Sequence, residues 1–428
     1  MYDSAMSYTR RIIDDLLDEV IGDLAAIALE GAKGVGKTAT ARQRARSELS
    51  MDVASQRALV AGNVRLIRNL EPPVLIDEWQ LEPQVWDAVR RAVDDDRAGG
   101  QFLLTGSAGV APGVRIHSGA GRIVSVRMRP LSLAERGIET PTASLASLMN
   151  REGVEIGGHT TVGLAEYTDE ILGSGFPGIR PLSERGQRIQ LDSYVTRIVD
   201  RELVENEVEV RRPRALRAWL SAYAAATSTQ AAYSNILDSA TPGEGDKPTR
   251  QTAEVYREAL TRLFVLDPLE AWIPAFSPLK RLTVTPKHHL VDPALAARLV
   301  GVGKRGLLTG EGDRVGTQTG TWLGALFESL ATQSVRVYAE ATEAQVGHLR
   351  TMGTAREIDL IVEGPDRSVV AIEVKLAGSV SDHDVRHLNW LHDQIGDRLA
   401  DRVVLTTGEY AYRRSDGIAV VPLALLGP

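Results

Sequence analysis

The sequence predicts an α/β protein with a parallel sheet in its N-terminal domain and a second α/β domain at its C-terminal end. Short apolar runs, typical of buried strands, alternate with helical stretches over residues 1–137. Near the C terminus, apolar runs at Ile358–Glu363 and Val369–Val374 precede a predicted helix at Val385–Ile395. The region between these two ends is mainly helical in pattern, so we expect at least one further domain there.

The composition is that of an ordinary globular chain. It has 428 residues, of which 43% are hydrophobic and 25% charged, and a formal net charge of −7. This length predicts about two or three domains. The absence of cysteine excludes disulfides and Cys-ligated zinc. The N terminus does not resemble a signal peptide and no apolar run approaches roughly 18 residues, so we expect a cytoplasmic protein without a membrane partner.

A glycine-rich segment carries the most specific motif of the chain. Residues 31–38 read G-A-K-G-V-G-K-T, between an apolar run at Ala25–Leu29 and a predicted helix at Lys37–Leu49. This is the phosphate-binding loop G-x-x-x-x-G-K-[ST] in the strand–loop–helix context that it requires. Lys37 would neutralise phosphate charge and Thr38 would bind Mg²⁺, so the expected cofactors are ATP and Mg²⁺. The predicted nucleotide contacts are Gly31, Ala32, Lys33, Gly34, Val35, Gly36, Lys37, Thr38 and Ala39.

Two more predicted strands end in groups suited to hydrolysis. In V-L-I-D-E at 74–78, Asp77 would bind Mg²⁺ and Glu78 would activate the attacking water. In F-L-L-T-G-S at 102–107, Ser107 would sense the γ-phosphate, with Thr105 as second choice. Arg122 would stabilise charge during phosphoryl transfer. Such an arginine often comes from a neighbouring subunit, so a homo-oligomer is an expected partner.

Carboxylates and a lysine mark the two C-terminal strands. Glu373 and Lys375 are two positions apart and therefore point to one face of their strand. A hairpin would bring Asp359 beside them, and Glu328 on the preceding helix would add a carboxylate. These oxygen donors predict a Mg²⁺ site, with Lys375 orienting or deprotonating a water. The alternative is an acidic strand pair in which Lys375 pairs with Glu373 on the surface.

The middle of the chain is predicted to be helical, and its end resembles a winged helix. Three predicted helices at 215–227, 228–238 and 252–263 precede a predicted strand at 264–269. A helical spacer is the alternative, and His288-His289 is expected on the surface. The predicted domains are an ATPase domain at 1–137, a helical region at 138–214, a winged-helix-like domain at 215–303, a linker at 304–319 and an α/β domain at 320–428.

The motifs together resemble the bacterial and archaeal AAA-type ATPases that are fused to a C-terminal domain of unknown function. Besides the segments above, R-P-L-S-L-A-E at 129–135 and G-S-G-F-P-G at 173–178 carry this resemblance, which covers nearly the whole chain. Asp359, Glu373 and Lys375 resemble the PD-(D/E)xK nucleases, with Ile358 in place of the family's proline. The resemblance implies a Mg-ATP-binding ATPase, a winged-helix middle and a nuclease-like, restriction-endonuclease-like end.

The function predicted from the sequence is ATP hydrolysis coupled to action on DNA or RNA, with metal-dependent cleavage as an added activity of the C-terminal domain. Two alternatives remain. One is an ATP-gated binding or signalling switch with an inactive nuclease-like scaffold. The other is a P-loop kinase for a small molecule, which the Asp77–Glu78 pair and the length of the chain disfavour.

Overall fold

The computed structural model describes residues 8–107, 119–150, 154–205, 208, 210, 212–240, 249–274, 282–309, 319–352 and 356–428. These residues form two compact units. The first takes in the described parts of Met1–Arg129, Arg201–Glu209 and Glu258–Val265, and the second those of Pro130–Asp200, Val210–Arg257 and Leu266–Pro428. No helix in these ranges is long and apolar enough to cross a membrane.

The α-helices in chain order are α1 Ile12–Val20, α2 Lys37–Arg42, α3 Ala54–Gly62, α4 Gln84–Asp95, α5 Leu145–Met149, α6 Leu164–Leu172, α7 Glu184–Arg197, α8 Leu203–Glu205, α9 Pro213–Ala225, α10 Tyr233–Ala240, α11 Arg250–Arg262, α12 Pro293–Val300, α13 Lys304–Thr309, α14 Thr319–Glu340 and α15 Asp382–Ile395. A π-helical turn, Ile198–Glu202, lies between α7 and α8.

A five-stranded parallel sheet forms the core of the first unit. Its strands are β1 Ala26–Glu30, β2 Ser47–Ser50, β3 Val74–Asp77, β4 Phe102–Gly106 and β5 Val124–Arg127, in the order β2-β3-β4-β1-β5. Every neighbouring pair is parallel, which confirms the predicted sheet. The inner strands β1 and β4 are almost wholly buried, and this is why they read as continuous apolar runs.

The predicted helix at Lys37–Leu49 is too long. Helix α2 ends at Arg42, and Ser47–Ser50 forms the edge strand β2, which pairs in parallel with β3. Leu49 of β2 is buried in the core of the sheet. Pairing with β3 and burial of Leu49 therefore outweigh the helical propensity of this segment.

A seven-stranded mixed sheet forms the core of the C-terminal part of the second unit. Its strands are β7 Gly158–His159, β8 Gln345–Arg350, β9 Glu357–Glu363, β10 Val369–Val374, β11 Leu399–Thr406, β12 Tyr410–Arg413 and β13 Ala419–Pro422, in the order β7-β12-β13-β11-β10-β9-β8. Strands β9 and β10 form the predicted antiparallel hairpin. Strands β6 Ala143–Ser144 and β14 Leu426–Gly427 form a separate parallel pair.

The middle region differs from its prediction in three ways. The three expected helices are present as α9, α10 and α11. Residues 264–269 do not form the predicted strand and make only isolated antiparallel bridges, from Leu266 to Leu290 and from Leu269 to Lys287, so the winged helix stays a prediction. His288 and His289 are buried, since they pack among helices rather than at the surface. Part of the predicted linker is the helix α13, while residues 310–318 lie outside the described residues.

Candidate nucleotide site and C-terminal acidic cluster

The phosphate loop joins β1 to α2 through backbone that only glycine adopts easily. Gly31 has φ +153°, and a Cβ built on it would lie 2.1 Å from the carbonyl oxygen of Met128. Gly36, immediately before α2, has φ +106°. The chain therefore turns tightly out of the sheet, and the first amides of α2 face the loop, as a phosphate-binding loop requires.

Lys37 lies in the hollow of this loop. Its Nζ donates hydrogen bonds to the carbonyl oxygens of Gly31 and Ala32, at 2.8 and 2.9 Å. Burial lowers the pKa of Lys37 to about 8, although the charges of Glu78 and Asp77 act in the opposite direction. The ammonium thus has backbone carbonyls as its hydrogen-bond acceptors and is poorly solvated.

Asp77 connects the loop to two strands. Its Oδ1 accepts hydrogen bonds from the hydroxyl of Thr38, at 2.8 Å, and from the hydroxyl of Thr105. The three groups meet because β3 and β4 are parallel neighbours whose carboxyl ends share one edge of the sheet. A hydroxyl and a carboxylate side by side are oxygen donors of the kind that Mg²⁺ prefers, so these residues fit Mg-ATP.

Glu78 follows Asp77 in the left-handed region of the backbone, with φ +50°. Such a conformation is costly for a non-glycine residue and is found most often at functional sites. The Oε2 of Glu78 accepts hydrogen bonds from Gln80 Nε2 and from Ser107 Oγ, the latter at 3.3 Å. The predicted water activator and the predicted γ-phosphate sensor are therefore neighbours, and Gln80 is a contact that the sequence motif did not reveal.

Arg122 has other partners than the phosphate loop. Its Nε donates to Asp94 Oδ1 at 2.8 Å, and its Nη1 donates to the carbonyl oxygen of Ala120. The hydrogen bond from Arg122 lowers the pKa of Asp94. These bonds fasten its loop to α4, and the predicted role in phosphoryl transfer stays a prediction.

Two interactions that hold the phosphate loop in place were not predicted from the sequence. Arg11, which is buried, donates from Nη1 to the carbonyl oxygen of Val35 at 2.9 Å and from Nη2 to that of Arg129 at 2.8 Å. Lys33 forms an ion pair with Glu202 at 2.8 Å. None of the three partners is close in sequence, and no motif marks Arg11, so only the folded chain identifies these contacts.

The C-terminal hairpin brings together the three residues predicted for it. Asp359 Oδ2 accepts a hydrogen bond from the backbone N–H of Val374 at 2.9 Å, and Lys375 Nζ donates to Glu373 Oε2 at 2.9 Å. Burial, the negative charge of Asp359 and a hydrogen bond with that residue raise the pKa of Glu373 well above its usual range. Asp359 is also buried, but Lys287 and Lys375 hold its pKa below the usual range.

An unexpected lysine completes this cluster. Lys287 Nζ lies 2.9 Å from Glu328 Oε1, 3.0 Å from Glu357 Oε1 and 2.9 Å from Asp359 Oδ1, and its side chain is 1% exposed. Burial alone would lower the pKa of Lys287, but the three carboxylates raise it well above its usual range. Burial raises the pKa of Glu328 to about 8, against the effect of Lys287.

This arrangement differs from the predicted magnesium site at Glu328, Asp359 and Glu373. The ammonium of Lys287 lies where a cation shared by Glu328 and Asp359 would lie, and Lys375 is bonded to Glu373. Within the described ranges, no three His, Asp or Glu side chains are arranged to hold a metal ion. The donors therefore do not fit a divalent ion while Lys287 remains in place. Lys287 stands 41 and 72 residues from Glu328 and Asp359, and no local pattern reveals it.

The sheet order, the loop after β1 and the Asp77–Glu78 pair after β3 define a P-loop NTPase domain. Residues 24–136 match a family described as AAA domain, in agreement with the P-loop fold of this segment. Residues 164–306 match a domain of unknown function (DUF8612), and residues 323–426 match another (DUF4143). Neither description states an activity.

Similar solved structures include the RuvB Holliday junction branch migration motor of Thermotoga maritima, at 16% identity and a TM-score of 0.24, covering 59% of this chain and 85% of that one. Another is Drosophila ORC bound to DNA, at 13% identity and a TM-score of 0.21, covering 60% and 86%. Similarities this weak support no conclusion about function. No curated protein matches the chain significantly.

Proposed function

We propose that this protein is an ATPase that binds Mg-ATP on the loop Gly31–Thr38, hydrolyses it with Asp77 and Glu78, and uses the energy to act on nucleic acid. The observation that carries the proposal is the shared hydrogen bonding of Thr38 and Thr105 to Asp77 Oδ1, next to the buried Lys37. It supports a site in which hydroxyl, carboxylate and ammonium converge on one edge of the sheet.

Binding of ATP would use the Lys37 ammonium and the backbone amides of the phosphate loop. The phosphates of ATP would replace the Gly31 and Ala32 carbonyls as partners of Lys37 and would accept hydrogen bonds from the loop amides. Thr38 and Asp77 would hold Mg²⁺, which would supply positive charge to the phosphates of ATP. Arg11 would keep the loop in its binding conformation through Val35.

Hydrolysis would depend on Glu78. Its carboxylate is held at Oε2 by Ser107 and Gln80, so it can take a proton from a water molecule at a fixed position. A positioned general base of this kind contributes about 10²- to 10⁴-fold to the rate. A kinase that transfers phosphate to a small molecule would have no use for a water-activating glutamate.

The test compares two variants in equilibrium binding and in turnover. Lys37→Ala should lose measurable ATP binding, because the site loses the buried ammonium that would bind the phosphates. Glu78→Gln should bind ATP normally and hydrolyse it about 10²-fold more slowly or worse. Normal ATP affinity in Lys37→Ala would refute the site, and normal turnover in Glu78→Gln would refute the mechanism. Turnover with and without DNA or RNA tests the coupling: stimulation supports it, and a phosphorylated small-molecule product would revive the kinase alternative.

One observation favours the alternative reading of the C-terminal domain, as an inactive scaffold. Lys287 pairs with the same carboxylates, Glu328 and Asp359, that a nuclease would use for its metal. In this reading the domain binds its target without cutting it, and ATP acts as the switch or the motor. Lys287 also neutralises part of the acidic charge that would otherwise repel a phosphate backbone.

Cleavage assays with Mg²⁺ and with Mn²⁺ separate the two readings. The scaffold reading predicts that single- and double-stranded DNA and RNA stay intact at high protein concentration. Metal-dependent cutting that disappears in Asp359→Ala would show that the domain is a nuclease and that Lys287 moves away during the reaction. A contaminating nuclease would be recognised because its activity would persist in Asp359→Ala.

A further inference from the structure

A carboxylate from a distant part of the chain binds to the phosphate loop. Lys33 Nζ donates a hydrogen bond to Glu202 Oε1 at 2.8 Å, and the two residues are 169 positions apart. Both belong to the first unit, and the side chain of Glu202 is only 16% exposed. A loop of this kind binds anions, because its backbone amides point partial positive charge at them. Glu202 is therefore an anion of the protein itself, held at a loop whose ligands are anions.

The charge of Glu202 acts on both lysines of the loop. Burial alone would lower the pKa of Lys33, but the hydrogen bond and the charge of Glu202 raise it above its usual value. Burial lowers the pKa of Lys37 to about 8, and the charge of Glu202 acts in the opposite direction there too. The charge of Glu78 also acts on both lysines. The carboxylates of Glu78 and Glu202 therefore both lie near the hollow that contains Lys37.

Glu202 stands at the end of an unusual segment. The π-helical turn Ile198–Glu202 joins α7 to α8, and such single turns are rare and frequent at functional sites. Within this turn, Asp200 forms an ion pair at 2.9 Å with Arg217 of α9. Asp200 belongs to the second unit and Glu202 to the first, so the chain passes from one unit to the other inside the turn. A change in the contact of Glu202 therefore acts on the segment that connects the two units.

We propose that Glu202 competes with the phosphates of ATP for Lys33, and that binding of ATP releases the π-helical turn from the phosphate loop. This inference rests on the proposed binding of Mg-ATP to the loop. The triphosphate carries more negative charge than one carboxylate, so it attracts the Lys33 ammonium more strongly and repels Glu202. Because coupling between two binding events is reciprocal, the contact with Glu202 weakens ATP binding by the same factor by which ATP weakens that contact.

The first experiment measures the affinity for AMP-PNP, an ATP analogue that is not hydrolysed, by calorimetry of the full chain with Mg²⁺. Glu202→Gln removes the charge and keeps the size of the side chain and an oxygen acceptor for Lys33. It should tighten binding about twofold to fivefold, the range expected for an ion pair that solvent reaches. The gain should shrink at high salt, because exposed charges are screened.

Two controls test whether the effect belongs to the contact with Lys33. Glu205 of α8 carries the same charge, but its charge acts on Lys33 more weakly than that of Glu202. Glu205→Gln should therefore tighten binding by less than about twofold. In a Lys33→Met background, Glu202→Gln should tighten binding less than it does in the parent, because the two residues no longer interact.

Amide hydrogen exchange of residues 198–205 tests the release of the turn in the parent chain, without any substitution. Saturating AMP-PNP should accelerate exchange there about twofold to fivefold, and in Glu202→Gln it should add little. Slower exchange with AMP-PNP, or equal or weaker binding in Glu202→Gln, would overturn the inference and leave the ATP site intact. Failure of the parent chain to bind AMP-PNP would instead refute the proposed function, and this inference with it.

Discussion

Lys37 and Lys287 are both buried lysines near carboxylates, yet their surroundings differ. Lys37 donates to backbone carbonyls, while the nearby Asp77 and Glu78 accept bonds from hydroxyl and amide donors. Lys287 contacts three carboxylates directly. Burial therefore lowers the pKa of Lys37, whereas the carboxylates raise that of Lys287. The charge of Lys37 can therefore be neutralised by an anionic ligand, whereas the charge of Lys287 is already neutralised by carboxylates of the protein.

The largest effect should come from Lys287→Met. This change leaves Asp359 charged and buried without its ammonium, and breaking a buried ion pair in this way costs about 3–5 kcal/mol. The measurement is amide hydrogen exchange of β9 and β10, because it reports on the second unit alone. Exchange there should accelerate by about 10²-fold to about 4 × 10³-fold.

Two controls sharpen this prediction. Lys304→Met removes an exposed lysine of the same unit, paired with Asp169, and should leave exchange unchanged. Adding Asp359→Asn to Lys287→Met should restore part of the protection, because the uncompensated charge is gone. Unchanged exchange in Lys287→Met would mean that its contacts do not stabilise the fold, and the contrast between the two lysines would fail.

The next largest effect should come from Gly31, whose backbone conformation shapes the loop around Lys37. Gly31→Ala puts a methyl group 2.1 Å from the carbonyl oxygen of Met128 at φ +153°, so the loop must shift. We expect a loss of about 1–3 kcal/mol in stability and at least about tenfold in ATP affinity. The matched control is Gly62→Ala at the end of α3, where a Cβ meets nothing within 4 Å and no stability should be lost. Equal ATP affinity in both variants would contradict this account of the loop.

A smaller effect follows from the pKa of Lys37, which burial lowers to about 8. In the free folded chain Lys37 holds less than a full proton above this pH, whereas phosphate beside it favours the charged form. Binding of ATP at pH 9 should therefore be accompanied by the uptake of about one proton, and the affinity for ATP should fall as the pH rises beyond 8. Calorimetry in buffers of different ionisation enthalpy measures this uptake. At pH 7, where Lys37 is already protonated, its share of the uptake should be small.

Strands and sites that depend on neighbouring residues could be predicted from the sequence, whereas contacts between residues far apart along the chain could not. Strand burial and motif spacing are visible in consecutive residues. The sequence therefore predicted the strands β1, β3, β4, β9 and β10 and the residues Asp77, Glu78, Asp359 and Glu373. Lys287 and Arg11 were not, since their partners lie far away along the chain and a single Lys or Arg carries no pattern. The predicted strand at 264–269 was wrong for a related reason: an apolar run is typical of a strand, but only isolated bridges formed there.

The smallest effect should come from Lys33, the third lysine in this comparison. Its side chain is 58% exposed and its ion pair with Glu202 is reached by solvent, so Lys33→Met should change stability by less than about 1 kcal/mol. High salt should reduce even this difference, because exposed charges are screened whereas the contacts of Lys287 are not. Denaturant unfolding of the parent and Lys33→Met at low and high salt measures it. A loss as large as that of Lys287→Met would show that burial does not distinguish these lysines, and the comparison would then have to rest on their partners alone.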